Sequence, residues 1–207
     1  MAISEPELTP EEIKRNERRR IRKERLKSMA ELTAQERKRQ SAEILRRVKE
    51  IDEYKDAKSL FCFLSLPEEA DTLPLVADAL ATGKEVYVPF CIPETKNLGV
   101  ARITDPVADV TPGILNIPEP RSALRTGKDP QTIDFFIISG VAFDHELTRL
   151  GHGAGYFDRF LAPLKGKRPI VAVAFDEQIC PYAIPRFDHD INPDKVVTSH
   201  ALLEKNT

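Results

Sequence analysis

Three glycines at alternate positions lie in a run of arginine, aromatic and aspartate residues, Arg149-Leu-Gly-His-Gly-Ala-Gly-Tyr-Phe-Asp-Arg159. An apolar, strand-like segment precedes the run and a helix-like one follows it. A glycine-rich turn at a helix start exposes backbone N–H groups and the positive end of the helix dipole, which suits a phosphate. Arg149 and Arg159 can add bidentate donors, and Asp158 can hold a hard divalent cation carried by the phosphate.

The same spacing also fits a purely structural turn. The run lacks the Gly-Lys-Ser/Thr ending of a P-loop and the glycine spacing of a Rossmann motif. In a tight strand-to-helix connection, Asp158 would only compensate the helix dipole in the first turn. The spacing alone therefore leaves phosphate binding and a structural role both open.

A second concentration of charge lies near the N-terminus. Residues 14–27 contain nine basic and two acidic residues, although the whole chain has a net charge of −2. No Gly or Pro occurs from 11 to 30, and a sparse apolar stripe (Ile13, Ile21, Leu26, Met29) predicts a helix with a basic outer face. Such a face can be simply solvated, can face a phosphate or can bind nucleic acid. The absence of interleaved aromatic residues and a pI of about 6.1 make nucleic acid the less favoured partner.

The elements that must position these residues alternate along the chain. Near-continuous apolar runs predict buried strands, at 58–66, 85–89, 133–139, 169–175 and 195–198. Helices are predicted between them, at 34–50 after a Thr33–Glu36 capping box, at 73–80 after a Thr72 cap, and at 156–164. The stretch 90–131 is rich in proline and predicts irregular structure with one short strand at 98–103.

This alternation predicts the fold class. We expect an α/β fold with one mostly parallel, twisted sheet flanked by helices on both faces, a Rossmann-like open sheet with its ligand cleft at the carboxyl ends of the strands. Residues 1–10 are predicted to be a flexible tail, and residues 11–207 a single domain.

Composition excludes several classes of protein. The chain has 207 residues, of which 41% are hydrophobic and 31% charged, so a real core is expected. Its apolar runs are far shorter than the roughly 20 residues that span a bilayer, and the charged N-terminus has no secretory h-region. Three scattered cysteines without a CxxC pair indicate neither a disulfide framework nor a zinc site. We expect a cytoplasmic monomer that does not contact membranes.

Four segments together resemble a known family. The first, residues 140–144 followed by residues 149–159, resembles the signature of 5-formyltetrahydrofolate cyclo-ligases, also called methenyltetrahydrofolate synthetases. Arg18-x-x-Ile-Arg22 is similar to the family's N-terminal Lys-x-x-Leu-Arg, residues 64–72 to its folate-side loop, and residues 175–198 to its tail. Because the four segments occur in the family's order, the resemblance is more specific than any one motif, and it covers residues 18–198.

The resemblance implies an activity and a set of site residues. The family converts 5-formyltetrahydrofolate to 5,10-methenyltetrahydrofolate with Mg–ATP and releases ADP and phosphate. The implied catalytic residues are Arg149 and Tyr156, and the implied Mg²⁺ ligands are Asp158 and Asp190. The implied ATP-binding residues are Arg18, Arg22, Arg149, Leu150, Gly151, His152, Gly153, Ala154, Gly155, Tyr156 and Phe157. The implied folate-binding residues are Leu64, Glu69, His152, Gly153, Ala154, Gly155 and Tyr156.

Three departures from the family pattern concern the same motifs. Arg18 replaces the family's Lys, which keeps the charge but changes its geometry. Phe157 replaces a second Tyr and removes a hydroxyl, and Ala154 stands where Gly is frequent. The alternative function is a non-catalytic nucleotide- or nucleic-acid-binding module on the same scaffold. The joint presence of Glu69, Asp158, Asp190 and Arg149 favours the enzyme.

Overall fold

The computed structural model describes residues 8–113 and 116–205. The α-helices of these ranges are α1 (Pro10–Glu31), α2 (Ala34–Val48), α3 (Asp52–Asp56), α4 (Leu73–Ala81) and α5 (Tyr156–Leu161). The strands are β1 (Ser59–Cys62), β2 (Glu85–Ile92), β3 (Asn97–Ile103), β4 (Val110–Pro112), β5 (Pro118–Pro120), β6 (Phe135–Ile138), β7 (Ala142–Phe143), β8 (Arg149–Leu150), β9 (Ile170–Val173), β10 (Lys195–Val197) and β11 (Leu202–Glu204).

Seven of these strands form the central sheet, in the order β11-β10-β9-β6-β1-β2-β3. The five inner strands run parallel, and the edge strands β3 and β11 are antiparallel to their neighbours. Two short hairpins, β4–β5 and β7–β8, lie outside this sheet. The predicted α/β class with a mostly parallel sheet is confirmed.

Both faces of the sheet are covered, as the apolar strand sequences predicted. On one face, Leu60 and Phe135 belong to a core that includes side chains of α2, α3 and α4. On the other face, Phe61 stacks on Phe136 with ring centroids 5.3 Å apart, and Phe160 of α5 completes the cluster. Successive residues of a strand point to opposite faces, so each strand contributes to both cores.

Helix α1 begins with a reciprocal capping box. The Thr9 hydroxyl accepts the Glu12 N–H, and the Glu12 carboxylate accepts the Thr9 N–H at 2.8 Å, so the helix already includes Pro10 of the predicted tail. Only part of the predicted apolar stripe is buried, because Ile13 and Leu26 are exposed. Arg18 is buried instead, since this face of α1 covers a polar region.

Several predicted elements have different bounds in the structure, and the predicted cap of α4 is not formed. Strand β1 ends at Cys62 rather than at residue 66, and α5 ends at Leu161 rather than at 164. The Thr72 hydroxyl does not cap α4 but donates to the Phe63 carbonyl at 2.8 Å, which anchors the loop after β1. The stretch predicted to be largely irregular contains the β4–β5 hairpin and three residues more of β2 than expected. No helix of the described residues is long and apolar enough to cross a membrane.

Candidate functional site

The order of the strands places a crevice between β1 and β6. From β1 the chain continues to β2 and β3 on one side, whereas β6, β9 and β10 lie on the other side. The loops that follow β1 and β6 therefore diverge at this switch point, where open α/β sheets bind ligands. A cleft of about 940 Å³ lies there. Its lining includes Leu64 and Glu69 after β1, Ser139 and Gly140 after β6, residues 151–158, and one face of α1.

The glycine turn, residues 151–155, presents free backbone donors at the cleft. Gly153 and Gly155 have φ angles of +109° and +71°, which favour glycine. None of the five N–H groups of this turn donates to another described residue. Helix α5 has only six residues, so its dipole contributes less than a long helix would. The donors for an anion are therefore chiefly the N–H groups of the turn.

Arg149 lies in β8, beneath the glycine turn. Its side chain is 2% exposed, and its Nη2 donates to Asp158 Oδ1 at 2.6 Å. Its Nε donates to the Ile191 carbonyl at 3.3 Å, and its guanidinium lies 5.6 Å from the Phe157 ring centroid. These contacts fix the guanidinium at the cleft wall, where it adds a positive charge.

Helix α1 contributes two guanidinium groups that contact segments far away in the sequence. Arg18 donates Nη1 and Nη2 to the two carboxylate oxygens of Asp190, and Nη1 also donates to the Pro185 carbonyl. Arg22 donates its Nε to the Gly151 carbonyl at 2.7 Å. Burial lowers the pKa of Arg22, and the neighbouring charge of Arg18 lowers it further. Four residues apart on one helix face, both arginines line the cleft.

The two aspartates predicted to bind a metal lie at the same cleft but differ in availability. Asp158 Oδ1 accepts from Arg149 and from the Ile191 N–H, whereas its Oδ2 accepts no hydrogen bond from a described residue. Both oxygens of Asp190 are occupied by Arg18. Burial acts to raise the pKa of Asp190, but the Arg18 and Phe187 hydrogen bonds outweigh it and leave that pKa below its usual range.

No group of three or more His, Cys, Asp and Glu side chains within residues 8–113 and 116–205 could hold a metal ion. The donor set is therefore a pair of carboxylates, each next to an arginine. Mg²⁺ is commonly held by one or two carboxylates together with the phosphates of a substrate and water. Asp158 fits such a partial ligand set, and Asp190 fits it only after Arg18 releases one of its oxygens.

Glu69 lies in the loop after β1, which the sequence associated with folate. Its Oε2 accepts the Leu66 N–H at 2.9 Å, and the Ser139 side chain also favours the charged form of the carboxylate. Burial raises the pKa of Glu69 because these two interactions only partly offset the loss of water. No arginine or lysine of the described residues forms an ion pair with it, so a ligand with N–H donors would supply missing partners.

Two further predicted residues of the site, His152 and Tyr156, also line the cleft. Desolvation by the surrounding protein lowers the pKa of His152, and the positive charges of Arg22 and Arg149 lower it further. The imidazole is therefore neutral at neutral pH, and it can donate or accept a hydrogen bond without adding charge. Tyr156 begins α5, where Arg159 lies 5.6 Å from its ring centroid.

One wall of the cleft was not predicted from the sequence. Phe90, Cys91 and Leu98 of the β2–β3 hairpin line it, together with Glu119 of β5. Glu119 is 3% exposed and accepts the Cys91 N–H at 3.0 Å. The proline-rich middle of the chain showed no periodicity that could place these residues at a site. The cleft-facing positions of Arg15 and Arg19 on α1 were also missed.

Two residues of the signature have structural contacts instead of cleft contacts. Asp144 is 2% exposed and accepts the N–H groups of Thr148 and Ile184, each at 2.8 Å, so it braces the β7–β8 hairpin. Arg159, which the spacing suggested as a phosphate donor, is not in the cleft wall. It donates to the carbonyls of Lys96 and Ala154.

Comparison with known proteins shows the family of the chain. The sequence model of the "5-formyltetrahydrofolate cyclo-ligase family" matches residues 12–199. The chain belongs to the 5-formyltetrahydrofolate cyclo-ligase family. It is thereby a ligase of folate metabolism, and the resemblance inferred from the four segments is confirmed.

Individual family members are similar over most of their length. The 5-formyltetrahydrofolate cyclo-ligase of Mus musculus is 30% identical over 192 residues, which cover 87% of this chain and 92% of that protein. The NMR structure of Aquifex aeolicus 5,10-methenyltetrahydrofolate synthetase has a TM-score of 0.75 and 32% identity, covering 90% of this chain and 92% of that one. A Mycoplasma pneumoniae 5,10-methenyltetrahydrofolate synthetase shares the fold, with a TM-score of 0.70 at 18% identity, covering 88% and 98% of the two chains.

Proposed function

We propose that this chain converts 5-formyltetrahydrofolate to 5,10-methenyltetrahydrofolate, using Mg–ATP and releasing ADP and phosphate. One observation carries the proposal beyond family membership. A single cleft is lined both by the glycine turn with its arginines and by the loop that carries Glu69. An ATP-dependent reaction on a second substrate needs two such subsites in one cavity.

The ATP subsite would be formed by the glycine turn, Arg22 and Arg149. Free N–H groups of residues 151–155 would hold phosphate oxygens, and Leu150, Tyr156 and Phe157 would frame the turn. Arg149 and Tyr156 would contact the transferred phosphoryl group and its acceptor. Arg18 would add positive charge from α1, its guanidinium being shared with Asp190. Positioning and neutralisation of charge account for most catalysis of phosphoryl transfer.

Mg²⁺ would enter with ATP as part of the substrate. When bound, the ion neutralises charge on the phosphate oxygens. Asp158 would hold it through Oδ2, the carboxylate oxygen that accepts no hydrogen bond from the described residues. Asp190 would join as a second ligand if Arg18 turns toward the phosphates.

The folate subsite would be formed by Leu64 and Glu69, with residues 152–156 at the boundary to ATP. Leu64 is 4% exposed and offers an apolar surface to a flat ring. Glu69 would accept hydrogen bonds from the N–H edge of the pterin, which would replace the water that its carboxylate lacks. Its raised pKa is consistent with a carboxylate that awaits such donors.

The proposed chemistry proceeds in two steps. The formyl oxygen attacks the γ-phosphorus of ATP, and ADP leaves. N10 of the folate then attacks the activated formyl carbon and loses its proton, and phosphate leaves with the former formyl oxygen. Phosphorylation is needed because an amide oxygen is otherwise a poor leaving group. The cleft would hold the two substrates in line and exclude competing water.

An absorbance measurement tests the proposed function. The methenyl product has a chromophore that the formyl substrate lacks, so mixing the protein with 5-formyltetrahydrofolate and Mg–ATP should produce new absorbance. Reactions without ATP or without Mg²⁺ are the controls, and they should remain flat. A chain that binds ATP but produces no chromophore under any of these conditions would contradict the proposal and favour a binding module.

The outer face of α1 favours the enzyme over a nucleic-acid-binding module. Some of its basic side chains are paired with glutamates of the same helix, among them Arg20 with Glu17 and Lys27 with Glu31. Local ion pairs of this kind reduce the positive field that would attract a nucleic-acid backbone.

A further inference from the structure

We propose that Arg159 is a positioning residue for the reaction, which orients the glycine turn and ties it to the β2–β3 hairpin. The inference deepens the proposed function and rests on it. Arg159 Nε donates to the Lys96 carbonyl at 2.6 Å, and its Nη2 donates to the Ala154 carbonyl at 2.7 Å. One guanidinium therefore joins a carbonyl of the hairpin to a carbonyl of the turn.

The bond to Ala154 determines where the next N–H group points. No peptide bond of the described residues is cis, and in a trans peptide the C=O and N–H point in opposite directions. Because the Ala154 carbonyl faces Arg159, the Gly155 N–H points away from Arg159. Ala154 and Gly155 line the cleft, whereas Arg159 does not. The guanidinium thus directs the Gly155 N–H toward the side where a phosphate would lie.

The backbone at both contacts has a conformation that fits the position of the guanidinium. A Cβ at Gly155 would lie 2.8 Å from Nη1 of Arg159, so the guanidinium occupies the space that only a glycine leaves open. Lys96, the hairpin residue whose carbonyl accepts the second bond, has a φ of +49°, which is uncommon for a non-glycine residue. This conformation presents its carbonyl at the end of the hairpin, where Arg159 meets it.

The bond to Lys96 couples two walls of the cleft. The hairpin supplies Phe90 and Leu98 to the wall next to the folate loop, and the turn supplies the wall for ATP. Helix α5, which follows the turn, already packs on β3 of the hairpin, and the Arg159 bond extends this attachment to the tip of the hairpin and to the turn itself. A displacement of about 1 Å between reacting groups costs on the order of 100-fold in rate. Arg159 would therefore affect the turnover rate by keeping the two substrates in the correct relative position.

Arg159→Ala, Arg159→Lys and Arg168→Ala form a matched set. Arg168 is also an arginine that donates its Nε to a loop carbonyl, that of Gln131 at 2.9 Å, but away from the cleft. Steady-state kinetics would give kcat and KM for each substrate, and thermal unfolding would give Tm. We expect Arg159→Ala to lower kcat about tenfold or more and to raise the KM for ATP, with the KM for folate within twofold.

Arg159→Lys should recover only part of kcat, because an ammonium group lacks the planar fork that spans the two carbonyls. Arg168→Ala should leave kcat and both KM values within twofold of the unmodified chain. Kinetics of Arg159→Ala equal to those of Arg168→Ala would overturn the inference. If the unmodified chain forms no methenyl product, the proposed function itself fails. A calorimetric titration with a non-hydrolysable ATP analogue then still tests the role of Arg159 in orienting the turn. Equal affinities of the unmodified chain and Arg159→Ala for the analogue would overturn the positioning role.

Discussion

Arg18 and Asp190, which are 172 positions apart, form a bidentate ion pair in which both residues are 7% exposed. The pair fastens α1 to the segment before β10 and closes one side of the cleft. A planar guanidinium fork matches both carboxylate oxygens, whereas a lysine could supply only a point charge. Arginine at this position therefore gives the chain a particular attachment of α1.

Breaking this pair should destabilise the fold. Arg18→Ala leaves a buried, uncompensated carboxylate, so we expect a loss of about 3–5 kcal/mol in the free energy of unfolding. Adding Asp190→Asn should recover part of that loss, because it removes the charge but keeps an acceptor for the Phe187 N–H. Urea denaturation measures both effects. Arg46→Ala, which breaks an exposed pair with Glu43, is the control, with an expected loss of about 0–1 kcal/mol.

The contribution of the pair should depend on pH in one direction. Since the pKa of Asp190 is lowered in the folded chain, the stabilisation is present above the ordinary carboxyl pKa and is lost as the pH falls through the lowered value. The difference between the unmodified chain and Asp190→Asn should therefore shrink in acid. A difference that grows as the pH falls would contradict this sign.

Neighbouring residues of α1 allow a sharp test of the ATP subsite. Arg22 lines the cleft and contacts the glycine turn, whereas Lys23 is exposed and does not line it. Arg22→Ala and Lys23→Ala each remove one positive charge, so their long-range electrostatic effects are similar. A charge-assisted contact contributes about 1.5–3 kcal/mol, or roughly 10- to 100-fold. We expect the KM for ATP to rise by this factor in Arg22→Ala and to stay unchanged in Lys23→Ala. Equal increases in the two variants would exclude a specific contact of Arg22 with ATP.

Asp158→Asn should change the response to Mg²⁺ and leave the fold intact. The amide keeps the shape of the carboxylate and can still accept from Arg149, but it is a poorer ligand for a hard cation. We expect the Mg²⁺ concentration for half-maximal rate to rise about tenfold or more, measured at a fixed ATP concentration. Asp78→Asn, at an exposed residue paired with Lys49, should not change it. An unchanged Mg²⁺ dependence in Asp158→Asn would rule out the metal role.

Glu69→Gln should separate binding from stability. The raised pKa of Glu69 means that its ionisation is unfavourable in the folded chain, so the neutral amide should raise stability at neutral pH. This gain should vanish below the ordinary carboxyl pKa, where both forms are neutral. The KM for 5-formyltetrahydrofolate should rise about tenfold or more, with the KM for ATP unchanged. An equal loss of ATP affinity would show that the two subsites are not separate.

Local sequence signals predicted the framework of the fold. Apolar runs such as that around Phe61 and Phe136 indicated strands buried on both faces, and the alternation of strands with helices indicated a mostly parallel sheet. The glycine turn was placed correctly between a strand and a helix, because glycine spacing is a local property.

Contacts between distant segments could not be predicted in this way. Nothing near Arg18 or Asp190 in the sequence indicates that they pair. The position of Arg159 beside the glycine run is equally compatible with a phosphate ligand and with a residue that binds backbone carbonyls. Thr72 matched a helix cap but donates to Phe63 instead, since tertiary contacts override a local preference. Strands as short as β11, with three residues, lack enough periodicity to be recognised.

The central claim is that the formyl oxygen leaves the folate as phosphate oxygen. The most direct measurement uses 5-formyltetrahydrofolate labelled with ¹⁸O in the formyl group, with mass spectrometry of the phosphate released in the presence of Mg–ATP. The account predicts one labelled oxygen in phosphate for each methenyl product formed. Unlabelled phosphate, with the label recovered in formate or water, would contradict it.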